Sequence, residues 1–124
     1  MSLEQKITDA VNTYIGAFEK GDLDAIMGIY ADECSVEDPV GSPVLQGRAA
    51  VQEFYQTAMG MKVKLELEGE IRIAGNEAAF AFRGEADTGN GKMTFRPIDV
   101  MVFNDEGKVT SMRAFFGPTN SGME

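Results

Sequence analysis

Hydrophobic residues recur at helical spacing along the first half of the chain. In residues 3–20 the charged side chains lie away from one apolar stripe. The stripe consists of Ile7, Val11, Tyr14, Ile15 and Phe18. Gly21 suits the position just after a helix, so a second helix is predicted over 23–30. A third helix is predicted from Arg48 to Met59. The first half of the chain is therefore predicted to be mainly helical, with one strand before the third helix.

The spacing of apolar residues changes to a period of two in the second half. Alternation and turn residues predict strands over 62–73, 77–86, 93–103 and 109–116, and a shorter strand over 33–38. Gly69 is expected to mark a bulge or bend within the first of these. Residues 117–124 are expected to form a loose tail. Helices followed by hairpin-linked strands predict one α+β domain spanning 1–124, with a curved antiparallel sheet packed on three helices.

Asp99 lies in the middle of the most hydrophobic predicted strand. Alternation puts it on the same face as Met93, Phe95, Pro97, Met101 and Phe103. An isolated buried charge is very costly, so this carboxyl group must find a partner or keep its proton. Two interpretations stay open at this point. Asp99 is either a structural residue bound to a local donor, or an acid kept neutral so that it can donate a hydrogen bond.

Asp38 ends the apolar row of the short strand, and Pro39 follows it. The loop 39–43 begins there, and loop edges commonly carry catalytic groups. The alternative is a turn aspartate that caps its own loop, which is ordinary chemistry for Asp before Pro. The loop edge also predicts that Asp38 is better solvated than Asp99.

Composition narrows the chemistry more than it narrows the fold. The chain has no histidine, no tryptophan and one cysteine, Cys34. Histidine-based acid–base catalysis, Ser-His-Asp and Cys-His nucleophiles and His-liganded zinc are therefore excluded. The formal net charge of −9 disfavours nucleic acid and anionic membrane surfaces as partners. No apolar run is long enough to span a bilayer and no leader is evident, so a cytoplasmic location is expected.

Several short motifs together resemble the bacterial ketosteroid isomerases, and the resemblance spans nearly the whole chain. The motifs are Gly21-Asp22-Leu23-Asp24, Val36-Glu37-Asp38-Pro39-Val40-Gly41, Glu53-Phe54-Tyr55, Asn76-Glu77-Ala78-Ala79-Phe80-Ala81-Phe82, Pro97-Ile98-Asp99 and Ser111-Met112-Arg113-Ala114. Each motif is weak alone, and their ordered combination carries the resemblance. It implies the cone-shaped fold shared with nuclear transport factor 2 and scytalone dehydratase. It also implies transposition of the double bond of a 3-oxo-Δ5-steroid to the Δ4 position, without metal or organic cofactor.

The resemblance assigns residue roles. Asp38 matches the general base, Tyr14 the central oxyanion donor and Asp99 the second, protonated donor. Tyr30 and Tyr55 match tyrosines that hydrogen-bond onward from Tyr14 in some members. The expected apolar walls around the steroid are Phe54, Phe82, Met101, Phe103, Met112 and Phe116. Met101 stands where an aromatic residue is expected, and Phe116 where some members have tryptophan, so ligand preference can differ.

Two other kinds of function compete with the isomerase. One is another enzyme on the same fold, such as an epoxide hydrolase with an Asp-Arg-Asp set, which would need Arg83, Arg96 or Arg113 to point into the cavity. The other is a binding module for small apolar ligands that lacks chemistry. The family resemblance further implies a homodimer, with the outward rows Lys64, Glu66, Glu68 and Val109, Ser111, Phe115 as candidate interface surface.

Overall fold

The structure is a computed structural model and describes residues 1–123. Three helices, α1 (Leu3–Lys20), α2 (Leu23–Gly28) and α3 (Arg48–Met59), pack against one sheet. Ser2 and Gln5 form a capping box at the start of α1, and Gly21 ends that helix in the left-handed conformation with φ 65°. Within residues 1–123, no helix is both long enough and apolar enough to cross a bilayer.

Within residues 1–123, nine strands form the curved, unclosed sheet. They are β1 (Tyr30–Glu37), β2 (Leu45–Gln46), β3 (Lys64–Leu67), β4 (Arg72–Ala74), β5 (Glu77–Asp87), β6 (Lys92–Phe95), β7 (Ile98–Phe103), β8 (Val109–Phe115) and β9 (Ser121–Met123). The order is β2-β1-β8-β7-β5-β6-β9, with β3 and β4 also paired to β5. The predicted α+β class with three N-terminal helices is confirmed. The sheet is not wholly antiparallel, since β1 pairs with β8 in parallel.

Two predicted strands are each divided in the structure. The 62–73 segment becomes β3 and β4, and Gly69 adopts a φ of 84° between them, as the bend predicted there requires. The 93–103 segment becomes β6 and β7, because Pro97 has no N–H for the ladder with β5. The alternation nevertheless continues across the interruption. Met101 and Phe103 are buried with Asp99, whereas Ile98 is 47% exposed.

Two further predictions are wrong in detail. The second helix ends at Gly28, and Tyr30 instead begins β1, where it pairs with Val109 of β8. Val109 was expected to face outward but is fully buried. A register irregularity leaves Thr110 without a partner between the pairs Phe103–Val109 and Val102–Ser111, and this extra residue reverses the alternation.

The tail is also ordered, contrary to the prediction. Residues 121–123 form β9, which pairs antiparallel with β6. The open edge of β6 has N–H and C=O groups that need partners, and the tail supplies them. Arg96 N–H extends this pairing by donating to the Asn120 carbonyl at 2.9 Å. Glu124, the last residue of the predicted tail, lies outside the described residues.

Candidate active site

An apolar cavity lies between the helices and the concave face of the sheet. Its polar side chains are Tyr14, Asp38, Tyr55 and Asp99. The remaining lining residues are apolar: Phe18, Phe54, Ala58, Met61, Val63, Leu65, Phe82, Ala86, Met93, Phe95, Pro97, Ala114 and Phe116. The space between these walls, counted together with its opening to solvent, is about 700 Å³.

Asp99 enters the cavity from β7. The residue is 1% exposed, and neither of its carboxyl oxygens has a hydrogen-bond partner within residues 1–123. Burial raises the pKa of Asp99 well above its usual range, and the negative charge of Asp38 raises this pKa further, while the nearby Tyr14 hydroxyl opposes the rise. Tyr14 and Asp99 do not meet hydrogen-bond geometry, so the opposing effect is the smaller one. Of the two interpretations left open by the sequence, the neutral acid fits this environment.

Asp38 follows β1 and lines the same cavity. It is less buried than Asp99 but more buried than its loop-edge position predicted. Burial alone raises the pKa of Asp38 to about 6. The prediction that Asp38 is better solvated than Asp99 is confirmed, although the apolar walls of the cavity still surround much of the Asp38 carboxyl group. At neutral pH Asp38 is still mostly ionised, whereas Asp99 keeps its proton.

The three tyrosines form a hydrogen-bonded series that ends at the cavity. The Tyr30 and Tyr55 hydroxyls lie 2.6 Å apart, and Tyr55 donates to Tyr14 at 3.5 Å. Since each hydroxyl has only one proton, both hydrogen bonds can form with Tyr55 as donor to Tyr14 only when Tyr30 donates to Tyr55. The Tyr14 proton is then left for a group inside the cavity. Burial raises the pKa of Tyr14 well above its usual range, so this proton is retained at neutral pH.

The predicted site residues divide between the cavity and its support. Tyr14, Asp38, Asp99, Phe54, Tyr55, Phe82 and Phe116 line the cavity. Tyr30, Met101, Phe103 and Met112 do not line it; they are almost completely buried in the adjoining core. They face inward because they lie on β1, β7 and β8 in register with buried partners, such as Met101 opposite Met112.

Sequence reasoning missed part of the cavity wall. Met93, Phe95 and Pro97 line it along the same strand face as Asp99, in a row that runs toward the exposed turn at 88–91. Their alternation with Asp99 was visible in the sequence and could have identified them. Val63 and Leu65 add a further part of the wall, from the face of the 62–73 segment that was predicted to be buried.

The cavity has no arginine in its wall. Arg96 instead pairs with Glu68 through two hydrogen bonds of 3.1 and 2.7 Å, and Arg113 pairs with Glu37 at 2.8 Å. Within residues 1–123, no group of three or more His, Cys, Asp or Glu side chains is close enough to hold a metal ion. The chemistry that the wall itself offers is proton transfer: one carboxylate, one neutral carboxylic acid and one tyrosine donor in apolar surroundings.

Known proteins resemble this chain in both sequence and structure. Residues 11–112 match the SnoaL-like domain family. Over 118 residues the chain is 45% identical to the Steroid Delta-isomerase of Nocardioides simplex, covering 95% of this chain and 94% of that protein. Among solved structures, SalBIII, an epoxide hydrolase/cyclase-like enzyme with a role in pyran ring formation in polyether salinomycin, has a TM-score of 0.89 and 32% identity over 98% of both chains.

A second solved structure bears on the fold alone. RV0760c from Mycobacterium tuberculosis is 19% identical, with a TM-score of 0.86 over 96% of both chains. The family resemblance seen in the sequence is thus confirmed by the sequence relatives and by the architecture. The chain belongs to the SnoaL-like domain family and, within the nuclear transport factor 2-like superfamily, it is a member of the ketosteroid isomerases.

Proposed function

We propose that this isomerase moves a proton from C4 to C6 of a 3-oxo-Δ5-steroid, giving the Δ4 isomer. The observation that carries the proposal is the pairing of an ionised and a neutral carboxyl group in one apolar cavity, Asp38 and Asp99. The cavity walls suit a hydrocarbon skeleton, and its polar groups suit a single ketone. The 45% identity to a protein named Steroid Delta-isomerase supports a steroid as the substrate.

Three of the polar residues in the cavity act directly in this reaction. The Asp38 carboxylate removes the C4 proton, the C3 carbonyl oxygen gains negative charge as a dienolate forms, and protonated Asp38 returns the proton at C6. Tyr14 and neutral Asp99 donate hydrogen bonds to the oxygen as its charge develops. The protein ends in its starting protonation state, so no net proton is taken up or released.

The experiment is conversion of 5-androstene-3,17-dione, followed by the absorbance of the conjugated enone product. We expect rapid growth of absorbance with the native chain and almost none with Asp38→Asn. Binding of a phenol, which mimics the dienolate oxygen, should persist in Asp38→Asn because the two donors are intact. Absence of conversion above buffer by the native chain would leave a ligand-binding module as the better description.

The structural similarity to SalBIII raises epoxide opening as a second candidate. An Asp-Arg-Asp arrangement for activating water needs a guanidinium group in the cavity, and the cavity wall contains none. Arg83, Arg96 and Arg113 all have exposed side chains. We therefore favour the isomerase, and incubation with a steroid epoxide followed by product analysis separates the two activities.

We also propose that the protein forms a homodimer through the outer face of the sheet, as the family resemblance implies. Ile98 and Phe115 are opposite each other on β7 and β8 and are 47% and 42% exposed. Exposed apolar neighbours of this kind favour a protein interface. Sedimentation should show a dimer, and Ile98→Asp should shift it to monomer; a native monomer would contradict this part of the proposal.

A further inference from the structure

The carboxylate of Asp38 depends on the backbone for its position. Within residues 1–123, no hydrogen bond holds the Asp38 side chain in place. In agreement with this, burial is the sole cause of the raised pKa of Asp38. A proton-transfer group must nevertheless be held within hydrogen-bond reach of the atom it deprotonates. Whatever fixes the backbone of the 38–43 loop therefore determines where the proposed base sits.

Glu37, the residue before Asp38, connects this loop to the sheet. One oxygen, Glu37 Oε2, accepts a hydrogen bond from the Gly41 N–H at 3.0 Å. The other, Oε1, accepts from Arg113 Nε at 2.8 Å. The Glu37 carboxylate thus ties the loop both to the end of β1 and to β8. The Glu37 side chain is only 18% exposed, so its two hydrogen bonds are partly shielded from water.

The strands around Glu37 bring these partners together. Glu37 and Arg113 are partners in the parallel pairing of β1 with β8, so their side chains lie on the same side of the sheet. Arg113 is further placed by Phe115, whose ring centroid lies 5.2 Å from the guanidinium carbon. Next to this pair, the Val40 N–H donates to the Ala114 carbonyl at 2.8 Å. The loop is therefore attached to β8 at two neighbouring positions.

The Glu37 carboxylate is kept charged for this task. The hydrogen bond from Gly41 lowers the pKa of Glu37, and the bond from Arg113 lowers it further. Hydrogen bonds to a charged acceptor are stronger than those between neutral groups. Gly41 itself adopts a φ of 102°, which glycine accepts and other residues rarely do.

We propose that Glu37 and Arg113 act together as positioning residues that hold the Asp38 loop, so that the base is placed correctly over the substrate carbon. The inference rests on the proposed proton transfer by Asp38. Neither residue lines the cavity, so neither touches the substrate. Loss of the pair should lower kcat and leave KM and phenol binding unchanged, because the oxyanion donors Tyr14 and Asp99 lie on α1 and β7. A displacement of about 1 Å costs on the order of a hundredfold in rate.

The kinetic test compares Glu37→Ala, Glu37→Gln, Arg113→Ala, Arg113→Lys and the double alanine variant. We expect Glu37→Ala to lower kcat about ten- to a hundredfold, with smaller losses in Glu37→Gln and Arg113→Lys. The double variant should be no slower than Glu37→Ala, because the two residues act as one unit. The matched control is Glu85→Ala, which breaks an exposed ion pair with Lys92 on β5 and β6. An unchanged kcat in Glu37→Ala, or a parallel loss of phenol affinity, would overturn the proposal.

A second measurement does not depend on turnover. Hydrogen exchange followed by NMR should show a protected Gly41 amide in the native chain and in Glu85→Ala, and faster exchange in Glu37→Ala. If the native chain fails to isomerise the steroid, the proposed function fails, while this measurement still decides whether Glu37 holds the loop. Equal protection of Gly41 in the native chain and in Glu37→Ala would refute the positioning role outright.

Discussion

Asp38 and Asp99 line one apolar cavity, and burial raises the pKa of both carboxyl groups to different extents. The pKa of Asp38 rises to about 6, whereas that of Asp99 rises well above its usual range, helped by the charge of Asp38. Each ionised carboxylate makes ionisation of the other harder, so the less buried one loses its proton first. The arrangement therefore yields a base and an acid from two identical functional groups.

The pH dependence of turnover should report the ionisation of Asp38. Since only the carboxylate removes a proton, kcat/KM is expected to rise as the pH increases through about 6 and then to level off. Steady-state rates across this range in buffers of constant ionic strength provide the measurement. A profile that is flat through pH 6 would contradict the raised pKa of the base.

The same burial predicts that stability falls as the pH rises. The folded state holds the Asp38 proton up to about pH 6, whereas the unfolded chain releases it near 3.8, so the folded state binds more protons between these values. This shift corresponds to about 3 kcal/mol lost from the free energy of unfolding once the pH exceeds 6. Asp99 acts in the same direction, because its folded pKa is also raised.

Urea titrations of the native chain and Asp38→Asn test this linkage. Relative to the variant, the native chain should lose about 3 kcal/mol of unfolding free energy between about pH 3 and pH 7. The control is Asp105→Asn, a change at an exposed aspartate in a turn. The unfolding free energy of this variant should change with pH in the same way as that of the native chain. If the native chain and Asp38→Asn changed in parallel with pH, the carboxyl group of Asp38 would not be desolvated.

The sequence predicts the helices and the core-facing strand positions well, because periodicity reflects which side of an element is buried. The third helix is found where it was expected, at Arg48–Met59, and the face carrying Asp99 survives the interruption at Pro97. Val109 shows the limit of this reasoning. Its burial follows from one unpaired residue in the pairing of β7 with β8, and such a register irregularity leaves no mark in local composition.

The candidate site was predictable in its polar groups but not in its walls. Strand alternation and the loop edge singled out Asp99 and Asp38, and the family resemblance added Tyr14 and the role of each residue. All three side chains line one cavity, in agreement with that resemblance. Met101 and Met112 were expected in the wall and lie in the core instead. Whether an apolar side chain meets a ligand or another side chain depends on the curvature of the sheet, which alternation alone does not reveal.

Tyr14→Phe tests the tyrosine series as a source of catalysis. Removing the Tyr14 hydroxyl deletes an oxyanion donor whose hydrogen bond strengthens as charge develops, so kcat should fall by about 10²–10³ with little change in KM. Tyr30→Phe is the control, because its hydroxyl contacts Tyr55 and lies outside the cavity. It should cost much less, since Tyr55 keeps its proton for Tyr14. Equal losses in kcat and steroid affinity for Tyr14→Phe would contradict the role of transition-state donor.

Gly84→Ala should reshape the end of the cavity distant from the oxyanion donors. A Cβ atom at Gly84 would lie 2.4 Å from Phe95 Cζ and 2.8 Å from Leu65 Cδ2, and both of these side chains line the cavity. Phe95 cannot keep its position, and its ring packs against that of Phe116 with centroids 6.0 Å apart. Overpacking of this kind typically costs about 1–3 kcal/mol of folding stability. The displaced ring also changes the wall that the steroid contacts, so we expect the steroid KM to rise about tenfold, which corresponds to about 1.4 kcal/mol of binding free energy.

The matched substitution for Gly84→Ala is Gly28→Ala, where an added Cβ meets nothing within 4 Å. It should leave KM unchanged. A phenol occupies only the region of Tyr14 and Asp99. Phe95 precedes Asp99 by four residues on the same strand face, which is a distance of roughly 13 Å along a strand. Phenol affinity should therefore change little in Gly84→Ala. Comparing the steroid KM with the phenol affinity therefore shows whether the substitution changes the cavity near Phe95 or near Tyr14 and Asp99. An unchanged steroid KM in Gly84→Ala would mean that Phe95 and Leu65 do not contact the substrate. The bound steroid would then have to extend from Tyr14 and Asp99 toward a different part of the cavity wall.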